Sequence, residues 1–197
     1  ILRFPQAPSA AGEFGTSIHN TLEWYQNKIN SSETPAILQT QDYFSKELNY
    51  RYLSKVDHQV ANSKGREILS RYLQNSSNLF QISARAEVNF FGETIKLGNA
   101  IISGKIDRLE IDESNKSLRV VDYKTGEPLK SWAGSKGHKY KQQLYFYKFL
   151  LENSTQWKMY EVLDARLEFI QPAGSLDGPM IPPLVLNFDT KEEKHIK

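Results

Sequence analysis

Apolar residues recur every three or four positions through most of the first 80 residues, the period of an amphipathic helix. The segment that begins at Gly15 predicts a first helix, capped by Thr16 or Ser17. Pro35 can open a second helix, and residues 63–76 predict a third. The N-terminal part of the chain is therefore expected to be helical.

The period changes to two after this helical part, and such alternation of apolar and polar residues is typical of half-buried strands. Helices followed by antiparallel strands, and then by another helix and strands, predict an α/β fold with a mainly antiparallel sheet flanked by helices. The predicted elements are strands at 80–91, 93–112 (one or two strands) and 117–126, a helix at 139–153, and short strands at 165–172 and 183–189.

The chain has 197 residues, enough for one domain, which we place at residues 15–190 between an irregular lead-in (1–14) and a tail (191–197). The absence of cysteine excludes disulfides and iron–sulfur clusters and suits a reducing cytoplasm. No apolar run approaches the roughly 20 residues of a membrane span, so we expect no membrane association. The net charge of +2 permits nucleic-acid binding without arguing for it.

The segment ESNK predicts a tight turn between two strands, with residues 114–115 as a two-residue loop. This register buries a consistent apolar face and places two aspartates opposite each other beyond it. A slip by one residue would turn that face to water. The predicted pairs are Ile111 with Leu118, Leu109 with Val120, and Asp107 with Asp122.

The opposed carboxylates of Asp107 and Asp122 would repel each other, so they must share a proton or a cation. Lys124, on the same strand face as Asp122, and Lys105, opposite Lys124, would neutralise the pair without any metal. Long lysines at a strand end usually extend to solvent instead. Two converging carboxylates then suit Mg²⁺ or Mn²⁺. Both readings stay open at this point.

Four segments occur along the chain in the order GTSIH, SGKIDRLE, VVDYKTG and QLYFY. Together they resemble the signatures of the RecB-like branch of the PD-(D/E)XK nuclease superfamily, over about residues 12–171. Each motif alone is weak, whereas four in order on the expected element types are specific. The matching residues are Gly15 and His19, Gly104 and Asp107, Asp122 and Lys124, and Gln143 and Tyr147.

The resemblance implies a restriction-endonuclease-like core that hydrolyses DNA phosphodiester bonds with a bound metal ion. His19, Asp107, Asp122 and the backbone carbonyl of Tyr123 would hold Mg²⁺ or Mn²⁺. A nitrogen ligand from His19 would favour manganese somewhat, because magnesium prefers oxygen.

The resemblance also assigns the remaining catalytic groups. Lys124 would orient the attacking water and stabilise charge that develops on the phosphate. Gln143 and Tyr147, one helical turn apart, would hold Lys124 or the DNA backbone, although Tyr147 would also suit a packing role. Glu87 is either a residue that supports the site from behind the ligands or an exposed strand residue.

A basic segment, GSKGHKYK, is interpreted as a flexible loop that contacts phosphates, although most runs of this kind are simply solvated. Arg108 would point away from Asp107, which favours a structural role or one in positioning DNA. The possible DNA contacts are Arg108, Thr125, Lys136, His138 and Lys139.

Nuclease modules with these signatures are fused behind UvrD-like helicases, so the resemblance implies a helicase motor in the same chain and a role in DNA repair or recombination. The expected substrate is DNA, as single strands or ends, cut by an exonuclease or an endonuclease. The sequence lacks a G-x-x-x-x-G-K-[ST] loop, so this segment should not itself bind ATP. The alternatives are a degenerate domain that binds DNA or braces a helicase, and a structural domain in which Asp122 and Lys124 form only a salt bridge.

Overall fold

The computed structural model describes residues 9–188. Three helices come first, and the strands follow with one long helix between the fifth and the sixth. The elements are α1 (Ala10–Asn30), α2 (Ile37–Asn49), α3 (Lys55–Ser76), a short 3₁₀ turn (Ser77–Leu79), β1 (Arg85–Asn89), β2 (Ile95–Leu97), β3 (Ala100–Ile102), β4 (Lys105–Asp112), β5 (Ser117–Lys124), α4 (Gly134–Asn153), β6 (Glu161–Phe169) and β7 (Leu184–Asn187).

Five strands form the central sheet, in the order β1-β4-β5-β6-β7, and β2 and β3 form a separate hairpin. All neighbours in the central sheet are antiparallel except β5 and β6, which are parallel and joined through α4. The predicted mixed, mainly antiparallel sheet with flanking helices is confirmed. Among residues 9–188, no helix combines the length and apolar character needed to cross a membrane.

The central sheet is covered by helices on both faces, so each central strand is buried on both sides. Val120 packs towards α4, in a core with Leu144 and Leu150. The next residue, Val121, packs towards α1 and α3, in a second core with Ile18 and Leu69. Because side chains alternate along a strand, β5 contributes to both cores.

The register of the β4–β5 hairpin is the one predicted, with Leu109 opposite Val120 and Ile111 opposite Leu118. The loop differs, because the strands end at Asp112 and resume at Ser117, leaving four residues rather than two. The Asp112 carboxylate accepts backbone N–H bonds within this loop, which closes the turn in place of a two-residue loop.

Several predicted boundaries were wrong. α1 begins at Ala10, where Ser9 accepts a hydrogen bond from the Gly12 amide, so part of the predicted lead-in is helical. The hydroxyl of Thr16, a predicted cap, instead donates to the Gly12 carbonyl inside the helix. α3 starts earlier than predicted, at Lys55, and β1 is shorter. The predicted tail lies outside the described residues.

Gly104 allows α4 to lie close to the start of β4. A Cβ atom at this position would lie 2.8 Å from Leu150 Cδ1 and 3.1 Å from Phe146 Cε1, which is closer than ordinary packing allows. The glycine of the second signature segment therefore has a structural reason, since it lets α4 approach the strand that carries Asp107.

Candidate active site

Three carboxylates lie side by side on the neighbouring strands β1, β4 and β5. The register that pairs Arg108 with Val121 continues to Asp107 on β4 and Asp122 on β5. On the other side of β4, the pairs on either side of Glu87 place this residue opposite Asp107. Glu87 has a positive φ of 50°, a conformation that non-glycine residues adopt rarely and that clusters at functional sites.

His19 on α1 joins this row from the helical layer. Its Nδ1 lies 3.2 Å from Asp107 Oδ1, and its ring meets the Tyr123 ring edge-on at 6.1 Å. Burial disfavours the charged imidazole, but the hydrogen bond and charge of Asp107, with the charges of Glu87 and Asp122, outweigh it and raise the pKa of His19. The site therefore attracts positive charge.

A ligand set for a cation is present at this point. One ligand atom from each of His19, Glu87 and Asp107 lies within 4.8 Å of the others. The second oxygen of Asp107 accepts a hydrogen bond from the Tyr123 amide at 2.7 Å, which fixes the carboxylate against β5. Two carboxylates and one imidazole suit a divalent metal such as Mn²⁺ or Mg²⁺. The residues fit the predicted metal, and Glu87 lies close enough to serve as an additional ligand.

Asp122 lies next to this group but is held by other partners. Its Oδ1 accepts a hydrogen bond from the Tyr147 hydroxyl at 3.1 Å, and its Oδ2 lies 2.5 Å from Lys124 Nζ. Burial first, and then the charge of Asp107, raise the pKa of Asp122 to about 6, against the opposing effect of Lys124. An additional cation nearby would stabilise the ionised form of this carboxylate.

Lys124 turns inward rather than extending to solvent, contrary to the expectation for a lysine at a strand end. Its ammonium donates to Gln143 Oε1 at 2.9 Å, and Gln143 Nε2 donates to the Tyr147 hydroxyl at 2.6 Å. Lys124, Gln143, Tyr147 and Asp122 thus form a closed ring of contacts between β5 and α4. The structure brings the four predicted residues together.

The other predicted lysine, Lys105, does not reach Asp122. It forms an ion pair with Glu87, and its pKa is raised mainly by that contact. The lysines therefore compensate part of the negative charge at the site, one at each end of the carboxylate row.

A model of the PD-(D/E)XK nuclease superfamily matches residues 1–193 of the sequence. The chain belongs to the PD-(D/E)XK nuclease superfamily. Members of this superfamily are generally metal-dependent nucleases, and they typically use Mg²⁺ or Mn²⁺. The row of carboxylates next to a lysine is consistent with this membership.

Solved structures give a weaker comparison. The crystal structure of protein VC1899 from Vibrio cholerae is similar to this PD-(D/E)XK chain with a TM-score of 0.30 and 13% sequence identity. The similarity covers 83% of this chain but 44% of the Vibrio cholerae chain, so this chain spans less than half of that protein. Comparison with curated protein sequences finds no significant match.

Arg108 lies behind the site and cannot contact DNA, so that possibility was wrong. It is fully buried, and its Nη2 donates to Glu110 at 3.0 Å and to Glu168 at 3.2 Å. Tyr72 on α3 donates to the same Glu168. The guanidinium of Arg108 also lies 5.5 Å from the centre of the Tyr123 ring. These contacts agree with a structural role for Arg108, which was the other predicted role.

The basic segment predicted as a flexible loop is helical, because α4 begins at Gly134. Lys136, His138 and Lys139 are exposed in its first two turns, close in sequence to the residues that hold Lys124. Thr125, at the end of β5, is half-buried beside Gly15 of α1, where an added Cβ would lie 3.3 Å from its Oγ1.

Sequence reasoning placed Glu87 at best behind the ligands, whereas in the structure a carboxylate oxygen of Glu87 lies within 4.8 Å of the candidate ligand atoms of His19 and Asp107. The register of β1 on β4 decides this, and the long connection between these strands hides it from a hairpin argument. The alternating pattern gave no local signal, because Glu87 falls at a polar position of the strand, as Arg85 and Asn89 do.

Proposed function

We propose that this PD-(D/E)XK chain is a metal-dependent deoxyribonuclease that hydrolyses DNA phosphodiester bonds. The observation that carries the proposal is the row of Glu87, Asp107 and Asp122 on adjacent strands. His19 lies beside Asp107 and Lys124 beside Asp122. Carboxylates placed so close together repel one another. The lysines at the two ends of the row pair with Glu87 and Asp122, so a cation that also contacts Asp107 would relieve the remaining repulsion.

His19, Glu87 and Asp107 would hold the cation, with Asp122 and the Tyr123 carbonyl completing the protein ligands. When bound, the metal would supply Lewis acidity at the phosphate and lower the pKa of a coordinated water. Its identity as Mn²⁺ or Mg²⁺ is part of the proposal, and the imidazole of His19 favours Mn²⁺.

Lys124 would orient the attacking water and stabilise negative charge on the phosphate. Gln143 holds the ammonium through its carbonyl oxygen, and Tyr147 holds both Gln143 and Asp122. This arrangement ties the catalytic lysine to a metal ligand through two side chains of α4, so the two groups keep a fixed separation.

The exposed lysines of the first turns of α4, Lys136 and Lys139, would contact the DNA backbone, together with His138 and Thr125. Lys136 already lies next to the β5–α4 connection, where it donates to the Glu127 carbonyl at 3.4 Å. Cations there would hold the phosphates that flank the scissile bond.

We further propose the RecB-like subtype, a UvrD-like helicase motor in the same chain, and cytoplasmic action in DNA repair or recombination on single strands or ends. The support is the resemblance of the four signature segments, which fall on α1, at the start of β4, on β5 and on α4. The RecB-like resemblance assigns its catalytic roles to residues of the carboxylate row, to Lys124 and to α4, the helix that holds Lys124.

The test is cleavage of end-labelled single- and double-stranded DNA with Mn²⁺, Mg²⁺ or EDTA. We expect metal-dependent cleavage by the wild type, loss in Asp122→Ala and Lys124→Ala, and wild-type rates in Lys158→Ala, an exposed lysine beyond the far end of α4. Equal DNA binding by all variants without cleavage by the wild type would indicate instead a binding or helicase-bracing module. The label pattern distinguishes exonuclease from endonuclease action.

A further inference from the structure

Tyr140 lies on the same side of α4 as the residues that hold Lys124. Gln143 follows it by three positions and Tyr147 by seven, which places the three side chains in one stripe along the helix. Tyr140 is half-buried, and no signature segment of the sequence includes it. The nuclease assignment therefore leaves this aromatic ring next to the site without a role.

The ring of Tyr140 contacts two ammonium groups. Lys124 Nζ lies 4.7 Å from the ring centre, and Lys136 Nζ, one helical turn before Tyr140, lies 5.8 Å from it. Both distances are within the range of a cation–π contact. One of these lysines is the proposed catalytic group, and the other is a proposed phosphate contact.

The contacts of Lys124 differ in how they respond to a metal. The Lys124 ammonium lies 2.5 Å from the carboxylate of Asp122. A metal cation at the carboxylate row would compete with this ammonium for the negative charge of Asp122. The Gln143 carbonyl oxygen at 2.9 Å and the Tyr140 ring are neutral, and neither belongs to the proposed ligand set. A metal that weakened the attraction between Lys124 and Asp122 would leave both of these contacts available to Lys124.

We propose that Tyr140 is a positioning residue, whose ring holds the Lys124 ammonium in its catalytic orientation and keeps it apart from Lys136. This inference rests on the proposed nuclease function and names a further residue of the same site. The ring makes both contacts, so phenylalanine should replace tyrosine and an aliphatic side chain should not.

The kinetic test compares Tyr140→Phe and Tyr140→Leu with Phe149→Leu, a half-buried aromatic on the same helix outside the stripe. With Mn²⁺ and single-stranded DNA, we expect kcat about 5- to 30-fold lower in Tyr140→Leu at unchanged KM, corresponding to loss of a half-buried cation–π contact. Tyr140→Phe should restore kcat to within about twofold, and Phe149→Leu should match the wild type in kcat and KM. A raised KM with unchanged kcat in Tyr140→Leu would overturn the proposal in favour of direct substrate contact.

A second measurement does not depend on activity or on any aliphatic variant folding. The ε-methylene protons of Lys124, assigned by comparison with Lys124→Arg, should show an upfield ring-current shift in the wild type and in Tyr140→Phe. An ordinary lysine shift in the wild type would overturn the proposal by itself. If the shift is present but the wild type cuts no DNA, the contact exists and the nuclease function fails, taking the catalytic role of Tyr140 with it.

Discussion

Asp122 is a residue whose environment disfavours its own charge. It is almost fully buried, it lies beside Asp107, and its pKa is raised to about 6 even with Lys124 at contact distance. For an acid with a folded-state pKa above the ordinary value, the ionised form destabilises the fold. That destabilisation is absent at pH values below the ordinary pKa and complete above the folded pKa.

Asp122→Asn should therefore stabilise the metal-free protein. The amide removes the charge and keeps an oxygen for the Tyr147 hydroxyl, so we expect the free energy of unfolding at pH 8 in EDTA to rise by about 1–3 kcal/mol. Thermal unfolding at pH 8 and pH 4 measures this, and the gain should disappear at pH 4. A loss of stability at pH 8 would mean that the ion pair with Lys124 outweighs the repulsion.

Asp112→Asn is the matched control on the neighbouring strand. Hydrogen bonds from the Ser114 and Asn115 side chains lower the pKa of Asp112 to about 2. An acid with a lowered pKa stabilises the fold above its ordinary pKa, so removing this charge should give no increase in stability at pH 8.

At the scale of elements, a buried network of charges joins α3, β4 and β6 directly behind the site. Glu168 accepts hydrogen bonds from Arg108 at 3.2 Å and from Arg166 at 2.8 Å, and Tyr72 adds a third. Glu110 on β4 accepts from both arginines. Since Arg108 also packs on Tyr123, this network supports the strand end that carries the proposed metal ligands.

Arg108→Met should destabilise the fold by about 3 kcal/mol, because it leaves buried carboxylates with fewer partners. The control is Arg119→Met on β5, where a half-exposed arginine pairs with Asp164 at 3.4 Å and the cost should stay below about 1 kcal/mol. Urea unfolding of both variants checks the difference. Equal costs would contradict the structural role of the buried network.

The packing of α2 on α3 depends on a single glycine. A Cβ at Gly65 would lie 2.1 Å from Cζ of the buried Phe44 ring, so the two side chains would overlap. Gly65→Ala should cost about 1–3 kcal/mol despite the better helix propensity of alanine. Gly126→Ala, where a Cβ would meet no atom within 4 Å, should change stability by less than about 0.5 kcal/mol, as measured by thermal unfolding.

At the scale of the whole molecule, a cation at the proposed site would couple its binding to folding, because His19, Glu87 and Asp107 come from α1, β1 and β4, respectively. Mn²⁺ should stabilise the wild type by about 2.7 kcal/mol at 100 times its Kd. His19→Gln and Asp107→Asn should lose most of this response, and Asp42→Asn, an exposed acid paired with Arg66, should keep it. Melting curves over a manganese titration measure the effect, and a wild type that shows no shift would argue against a metal site.

DNA binding should be local, since the net charge of the whole chain is only +2. Lys139→Ala at the start of α4 should weaken binding to single-stranded DNA and reduce the salt slope by about 0.7. Lys158→Ala should leave the slope unchanged, because Lys158 lies beyond the far end of α4, and the part of the helix from Lys139 to Asn153 alone spans roughly 21 Å. Fluorescence titrations at several salt concentrations test this. Both lysine variants are made in the Asp122→Ala background, so that the DNA is not cut during the titration. Equal slopes for both would exclude the start of α4 as a phosphate contact.

The sequence by itself determined the β4–β5 hairpin, its register and the opposed pair of Asp107 and Asp122, because strand alternation and a short turn are local. It also determined that Gln143 and Tyr147 share a helix face, since helical spacing is local too. Only the tertiary structure placed Glu87 beside Asp107, buried Arg108 between Glu110 and Glu168, and turned Lys124 inward. These outcomes depend on contacts between elements far apart in the chain, where the energy of packing and charge pairing outweighs local preference.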